Sequence, residues 1–174
     1  MAKCNQRVLQ EALSHARLRQ LLRYNPVSGV WRWRLNKARA YKAGDVAGGS
    51  PTKGYRQLRI DGRRYLSNRL AWFYMTGEWP PVQVDHKDTD TFNDSWANLR
   101  LATNQQNGRN QRKRPRNTTG WKGVSFDKKK RRFRAYIKVD YKQIWLGYHA
   151  TKIQAWYAYR VAAQKHFGEF ANDG

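Results

Sequence analysis

The chain has 174 residues, enough for one domain or two small ones, and 40 % hydrophobic content, enough for modest cores but not one large one. Lys and Arg total 35 against 12 Asp and Glu, a formal net charge of +23. That imbalance calls for a polyanionic partner, nucleic acid first and an anionic membrane second. No apolar run approaches the ~20 residues of a spanning helix. The opening MAKCNQRVLQEALSHARLRQ has no apolar centre, so a secretory signal is not expected. Cys4 is the only cysteine. It excludes an intramolecular disulfide and a cysteine-built zinc site, and suits an intracellular protein.

In chain order, residues 1–24 are expected to be helical, with Leu9, Leu13, Leu18, Leu21 and Leu22 forming an apolar stripe. Asn25-Pro26 stops that helix, because proline lacks the donor and disfavours helix in the residue before it. Val30–Arg34 alternates apolar and basic, as a half-exposed strand does. A loop rich in Gly, Lys and Ala runs from Asn36 to Gly54. Asp61-Gly62, between Tyr55–Ile60 and Arg63–Leu66, is a hairpin signal. Ser67 is the expected cap of a helix from Asn68 to about Met75, closed by Thr76-Gly77 and stopped by Pro80-Pro81.

The central stretch reads VDHKDTDTFNDSWANLRLATNQQNGRN. Val82–Asp85 is expected to be a short strand ended by His86, and Trp96–Leu101 a second strand. Thr103 to Gln106 has the form of a capping box, so a helix starts there and carries Asn107. Asp85 and Asn107 are candidate oxygen ligands for one hard divalent ion, which usually keeps its other positions for water and phosphate. Such an ion stabilises charge on a leaving 3′ oxygen. His86 is the candidate general base, since imidazole is the side chain whose ordinary titration lies nearest neutrality. Asn98, with an acceptor and a donor, suits tying down the loop or orienting His86. The stretch Gly108 to Thr119, GRNQRKRPRNTT, has five basic residues and no acid. It has a linker's composition and a charge suited to a DNA backbone.

Asp85-His86, Asn98-Leu99-Arg100, Asn107 and Asn110 at these spacings resemble the HNH homing endonucleases of phage genomes, in the branch whose third position is Asn. The likeness spans Tyr55–Arg112 and includes Arg64–Trp72, where relatives often have His at the position of Asn68. It implies a ββα-metal fold and cleavage or nicking of double-stranded DNA with Mg2+ or Mn2+ and no zinc. Asp85 and Asn107 become ligands, His86 the base and Asn98 its organiser. Arg100, Arg109, Asn110, Arg112, Lys113 and Arg114 are the expected DNA contacts around the site.

The last 55 residues read as a small domain of three strands, Gly120–Asp127, Arg132–Val139 and Gln143–Tyr148. A helix from Thr151 to about Phe167, ended by Gly168, follows. Val124, Phe126, Phe133, Ala135 and Ile137 are expected beneath that helix, which offers Ile153, Ala155, Trp156, Tyr159, Ala162, Ala163 and Phe167. Alternation puts Lys122, Arg134, Tyr136, Lys138 and Trp145 on the other face, a composition suited to phosphates and base edges. Gly123-Val124-Ser125, Trp145–Tyr148, Ala155–Ala163 and Gly168–Ala171 are similar to the Apetala2/ERF-type DNA-binding domain. That likeness implies a three-stranded sheet laid into the major groove.

The expected fold class is α+β. An N-terminal helix and β-hairpin region (1–54) leads to a ββα-metal nuclease core (55–112), a basic linker (113–119) and a three-stranded antiparallel sheet packed on one helix (120–174). The expected protein is a monomer in the cytoplasm of an infected bacterium, with no membrane partner. The rival reading is a non-catalytic DNA-binding regulator, and RNA binding is a third.

Overall fold

The computed structural model describes residues 13–37, 40–49, 54–110, 117 and 119–172. By its internal contacts the chain divides into two compact units, Met1–Thr103 and Asn104–Gly174. Among the described residues the fold is mixed, with four helices and several small antiparallel sheets, consistent with the expected α+β class.

The first unit begins with α1 (His15–Leu21), whose N-cap Ser14 accepts a hydrogen bond from the Arg17 N–H. The expected helix to residue 24 stops short at Leu21. Leu22–Tyr24 instead forms β1, pairing antiparallel with β2 (Trp31–Trp33) in the register Leu22↔Trp33 and Tyr24↔Trp31. Tertiary pairing overrides helix propensity here. A third strand, β3 (Val46–Ala47), joins β2. The part of the predicted helix before Leu13 lies outside the described residues.

The Asp61-Gly62 hairpin forms between β4 (Gln57–Ile60) and β5 (Arg63–Leu66), with φ of 45° and 80° at its two turn residues. Positive φ at both turn positions matches the right-handed twist of the strands. Helix α2 (Ser67–Thr76) follows and ends on Gly77 at φ 80°. Ser67 is not its cap. It is the first helical residue, and its hydroxyl accepts from the Trp31 indole N–H at 3.1 Å. The last pair is β6 (Gln83–His86) and β7 (Leu99–Ala102), in the register Asp85↔Arg100 and His86↔Leu99. The expected start of β7 at Trp96 is instead a 3₁₀ turn, Trp96–Asn98.

One hydrophobic core runs through this unit. Leu18, Leu22, Tyr24 and Trp31 from the N-terminal elements pack with Leu58, Leu70, Phe73, Val84 and Leu99. It crosses residue 54, where composition alone suggests a break.

The second unit starts with α3 (Asn104–Asn110) and then holds a sheet in the order β10-β9-β8: β8 (Val124–Asp127), β9 (Arg132–Val139) and β10 (Lys142–His149). Helix α4 (Lys152–Phe167) packs on it and is closed by a full capping box, Thr151 with Gln154. Val124 and Ala135 meet Ala155 beneath the helix. Two expected core positions lie elsewhere. Ile153 sits on the solvent side of the first helical turn, and Phe126 is half exposed at the edge strand, packed on Phe133. A bulge between Trp145 and Gly147 shifts the β10 register, so strict alternation fails beyond Trp145.

Candidate active site

The β6–β7 ladder sets Asp85 directly opposite Arg100. Both are buried, and Arg100 donates from Nε and Nη2 to Asp85 Oδ2, each at 3.0 Å. Arg100, one of the expected DNA contacts, is buried, and its guanidinium holds the carboxylate, because a buried carboxylate needs a charged partner.

His86 ends β6 and is also buried. Its Nε2 lies 2.9 Å from Oδ1 of Asp94, a residue only 1 % exposed. The Tyr55 ring is 6.2 Å from the imidazole, centroid to centroid. Sequence reasoning passed over Asp94. Its one signal is a carboxylate eight residues after His86, in a loop already rich in turn-forming Asp and Asn.

That loop returns the chain from β6 to β7, and Asn98 closes it. Its side-chain oxygen accepts from the Asp88 N–H at 3.1 Å, and its amide donates to Asp88 Oδ1 at 2.9 Å and to the Asn93 carbonyl at 2.7 Å. Its backbone carbonyl accepts from Lys87 N–H. The expectation that Asn98 ties down the loop describes these contacts. Thr89 sits at φ 63°, a costly conformation for a β-branched residue, which the network holds in place. Burial pushes the Asp88 carboxyl up, but donors from Asn93, the Asp90 N–H and Asn98 outweigh it and hold Asp88 below the usual carboxylate range.

The departure at Asn68 has a structural reading. The buried Asn68 amide donates to the Val84 carbonyl at 2.9 Å, anchoring α2 to β6 one residue before Asp85. Arg69 donates to the carbonyls of Val82 and Pro80, fixing the approach to the same strand.

An HNH endonuclease family profile matches residues 65–109, which take in Asp85, His86, Asn98 and Asn107. Protein 3.8 of Escherichia phage T7 is 31 % identical over 121 residues, covering 68 % of this chain and 96 % of that protein. The chain belongs to the family of phage T7 Protein 3.8 and carries an HNH endonuclease domain. No solved structure matches it. HNH nucleases are hydrolases acting on DNA and generally use a divalent metal ion.

Among the described residues no group of three or more His, Cys, Asp and Glu gathers in a metal-binding cluster. A hard divalent ion takes few protein oxygens and keeps its other positions for water and phosphate. Asn107 is half-buried in the second turn of α3, within the second unit. That helix is anchored there. Arg109 and Gln105 both donate to Asp140 Oδ1, at 2.9 and 2.7 Å, and Asn172 donates to the carbonyl of the buried Asn110.

Several of the expected DNA contacts also make contacts within the chain. Arg109 pairs with Asp140 and lies over the Phe167 ring, and Lys122 Nζ donates to the Arg109 carbonyl. Arg112, Lys113 and Arg114 lie outside the described residues. On the sheet, Lys138 is exposed, Trp145 is half exposed, and Arg134 and Tyr136 are partly buried. The Arg134 Nε is buried and has no hydrogen-bond partner among the described residues. No helix among them is long and apolar enough to cross a membrane.

Proposed function

We propose that the protein is a homing-type HNH endonuclease that hydrolyses phosphodiester bonds of double-stranded DNA with one divalent ion, nicking as a monomer. The observation that carries this reading is the end of β6. A buried, partnered imidazole at His86 directly follows a buried carboxylate at Asp85, and Asn98 closes the loop between them and β7.

In this reading His86 takes a proton from the attacking water. A positioned base of this kind contributes ~10²–10⁴-fold. Asp85 and Asn107 hold the ion, Mg2+ or Mn2+, with Arg100 fixing the Asp85 carboxylate. When bound, the ion stabilises the developing charge on the leaving 3′ oxygen. Asn98 keeps the β6–β7 loop in one conformation. The nuclease core, the basic tract of residues 113–119 and an Apetala2/ERF-like sheet module from 120 onward work in series. The sheet module lies in the major groove with Arg134, Tyr136, Lys138 and Trp145 turned to DNA.

Incubation with supercoiled plasmid and Mg2+, with and without chelator and beside His86→Ala, tests the reading. Metal-dependent conversion to open circles by the intact protein alone supports it. Equal conversion by His86→Ala, or none by either, rejects it.

The double donation of Arg100 to one oxygen of Asp85 favours a second reading, a DNA-binding regulator whose carboxylate is already neutralised. That protein binds duplex DNA and leaves the plasmid intact.

A further inference from the structure

His86 and Asp94 form a buried pair in which only one carboxylate oxygen is used. Oδ1 meets His86 Nε2, while Oδ2 is buried and has no hydrogen-bond partner among the described residues. A carboxylate left half satisfied in a protein interior is costly, and an apolar residue in its place is often no worse for stability.

The backbone of Asp94 is clamped by the turn between β1 and β2. The Tyr24 hydroxyl donates to the Asp94 carbonyl at 2.6 Å. The Trp96 N–H donates to the Pro26 carbonyl at 2.8 Å. Gly29, at φ +68°, presses its α-carbon against the Asp94–Ser95 peptide, and a Cβ built there would meet the Asp94 carbonyl carbon at 2.4 Å. The turn itself is stiff. Asn25 accepts from Val27 and Ser28 through its side chain, and its backbone exchanges hydrogen bonds with Val30 and Gly29. Tyr24 is held in turn by the Trp31 ring, 4.8 Å away.

We propose that Asp94 is the positioning residue for His86, and that the 25–30 turn is the support that fixes Asp94. This rests on the reading of His86 as the base. A carboxylate accepts, so the imidazole donates from Nε2 and its lone pair is left on Nδ1. The ring is thereby locked in one tautomer and one orientation. This is the service a carboxylate gives an imidazole base wherever the tautomer must be set. The N-terminal elements then belong to the catalytic architecture and are more than a basic appendage.

Two measurements test it. The first needs no variant: long-range proton–nitrogen spectra of protein labelled with 15N-histidine. They show the His86 proton on Nε2. A proton on Nδ1 overturns the proposal. The second compares single-turnover cleavage and DNA affinity in Asp94→Ala, Asp94→Asn and Tyr24→Phe. Asp94→Ala loses ~10²–10⁴-fold in rate, the scale of a misplaced base, with DNA affinity unchanged. Asp94→Asn keeps an oxygen acceptor and recovers part of that loss, and Tyr24→Phe falls between Asp94→Ala and the intact chain. An Asp94→Ala protein that cleaves like the intact chain while His86→Ala is dead overturns the positioning role and leaves the base reading standing. If His86→Ala also cleaves normally, the base reading itself fails.

Discussion

Arg100 and Asp85 face each other across the β6–β7 ladder, and the guanidinium donates twice to a single carboxylate oxygen, both times at 3.0 Å. The arginine is thus part of the site's frame. Removing one member of a buried ion pair costs ~3–5 kcal/mol, because the other is left uncompensated. Arg100→Met is therefore expected to lower stability by that order in urea titration. Its salt dependence of DNA binding is expected to match the intact protein. A salt slope reduced by about one would show instead that Arg100 meets a phosphate.

Asn98 carries three side-chain hydrogen bonds within one loop. Asn98→Ala strands the Asp88 N–H and the Asn93 carbonyl, at ~1–3 kcal/mol for each group that water does not reach. Amide exchange is the direct check. Protection over Lys87–Asn93 should fall while that of β4 and β5 is unchanged. Cleavage should fall with it.

The same loop carries a pH signature. The folded Asp88 carboxyl titrates below its ordinary value, near ~4 in an unfolded chain. Its contribution is therefore complete above that value and is lost as pH falls through the lower folded value. Loop protection should decline in acid below about pH 4. Asp88→Asn should show a weaker loop at neutral pH and little further change on acidification. An intact loop that loosens between pH 6 and 5 contradicts this origin.

Trp31 is fully buried in a core shared by the N-terminal and HNH elements. Trp31→Ala is expected to cost ~3–5 kcal/mol, as large aromatic truncations do. A chain starting at residue 54 should fail to give a cooperative thermal transition, since Leu58, Leu70 and Phe73 lose their partners. A sharp transition in that shortened chain would mean the nuclease core is self-sufficient.

On the sheet module, Trp145 is half exposed and Lys138 is open to solvent. Trp145→Ala and Lys138→Ala should each weaken binding to duplex DNA without moving the melting temperature. Lys138→Ala should also reduce the salt slope by about one, as the loss of a phosphate contact does. Unchanged affinity in both variants would turn attention to the opposite face.

The parts of this molecule legible in the sequence are those with local causes. Asp61-Gly62 announces its hairpin because the turn needs positive φ at both positions. Thr151 and Gln154 announce α4 because the capping box closes over four residues. Asp85, His86 and Asn98 are legible as a spacing. What was not legible depends on partners distant in the chain. Ser67 looks like a cap until the indole of Trp31, 36 residues away, takes its hydroxyl. Arg100 shows nothing of its pairing until the strands set it opposite Asp85, fifteen residues away. Asp94 looks like one more turn residue until the chain brings Tyr24, 70 residues earlier, onto its carbonyl.

Whether this chain cleaves DNA through His86 is read out by single-turnover cleavage of an end-labelled duplex in excess Mg2+. The intact protein and His86→Ala are compared at equal DNA occupancy. Products with 3′-hydroxyl and 5′-phosphate ends are expected, at a rate lower by ~10²–10⁴-fold in the variant. Equal rates in the two proteins, or an uncut duplex fully bound by the intact protein, would contradict it.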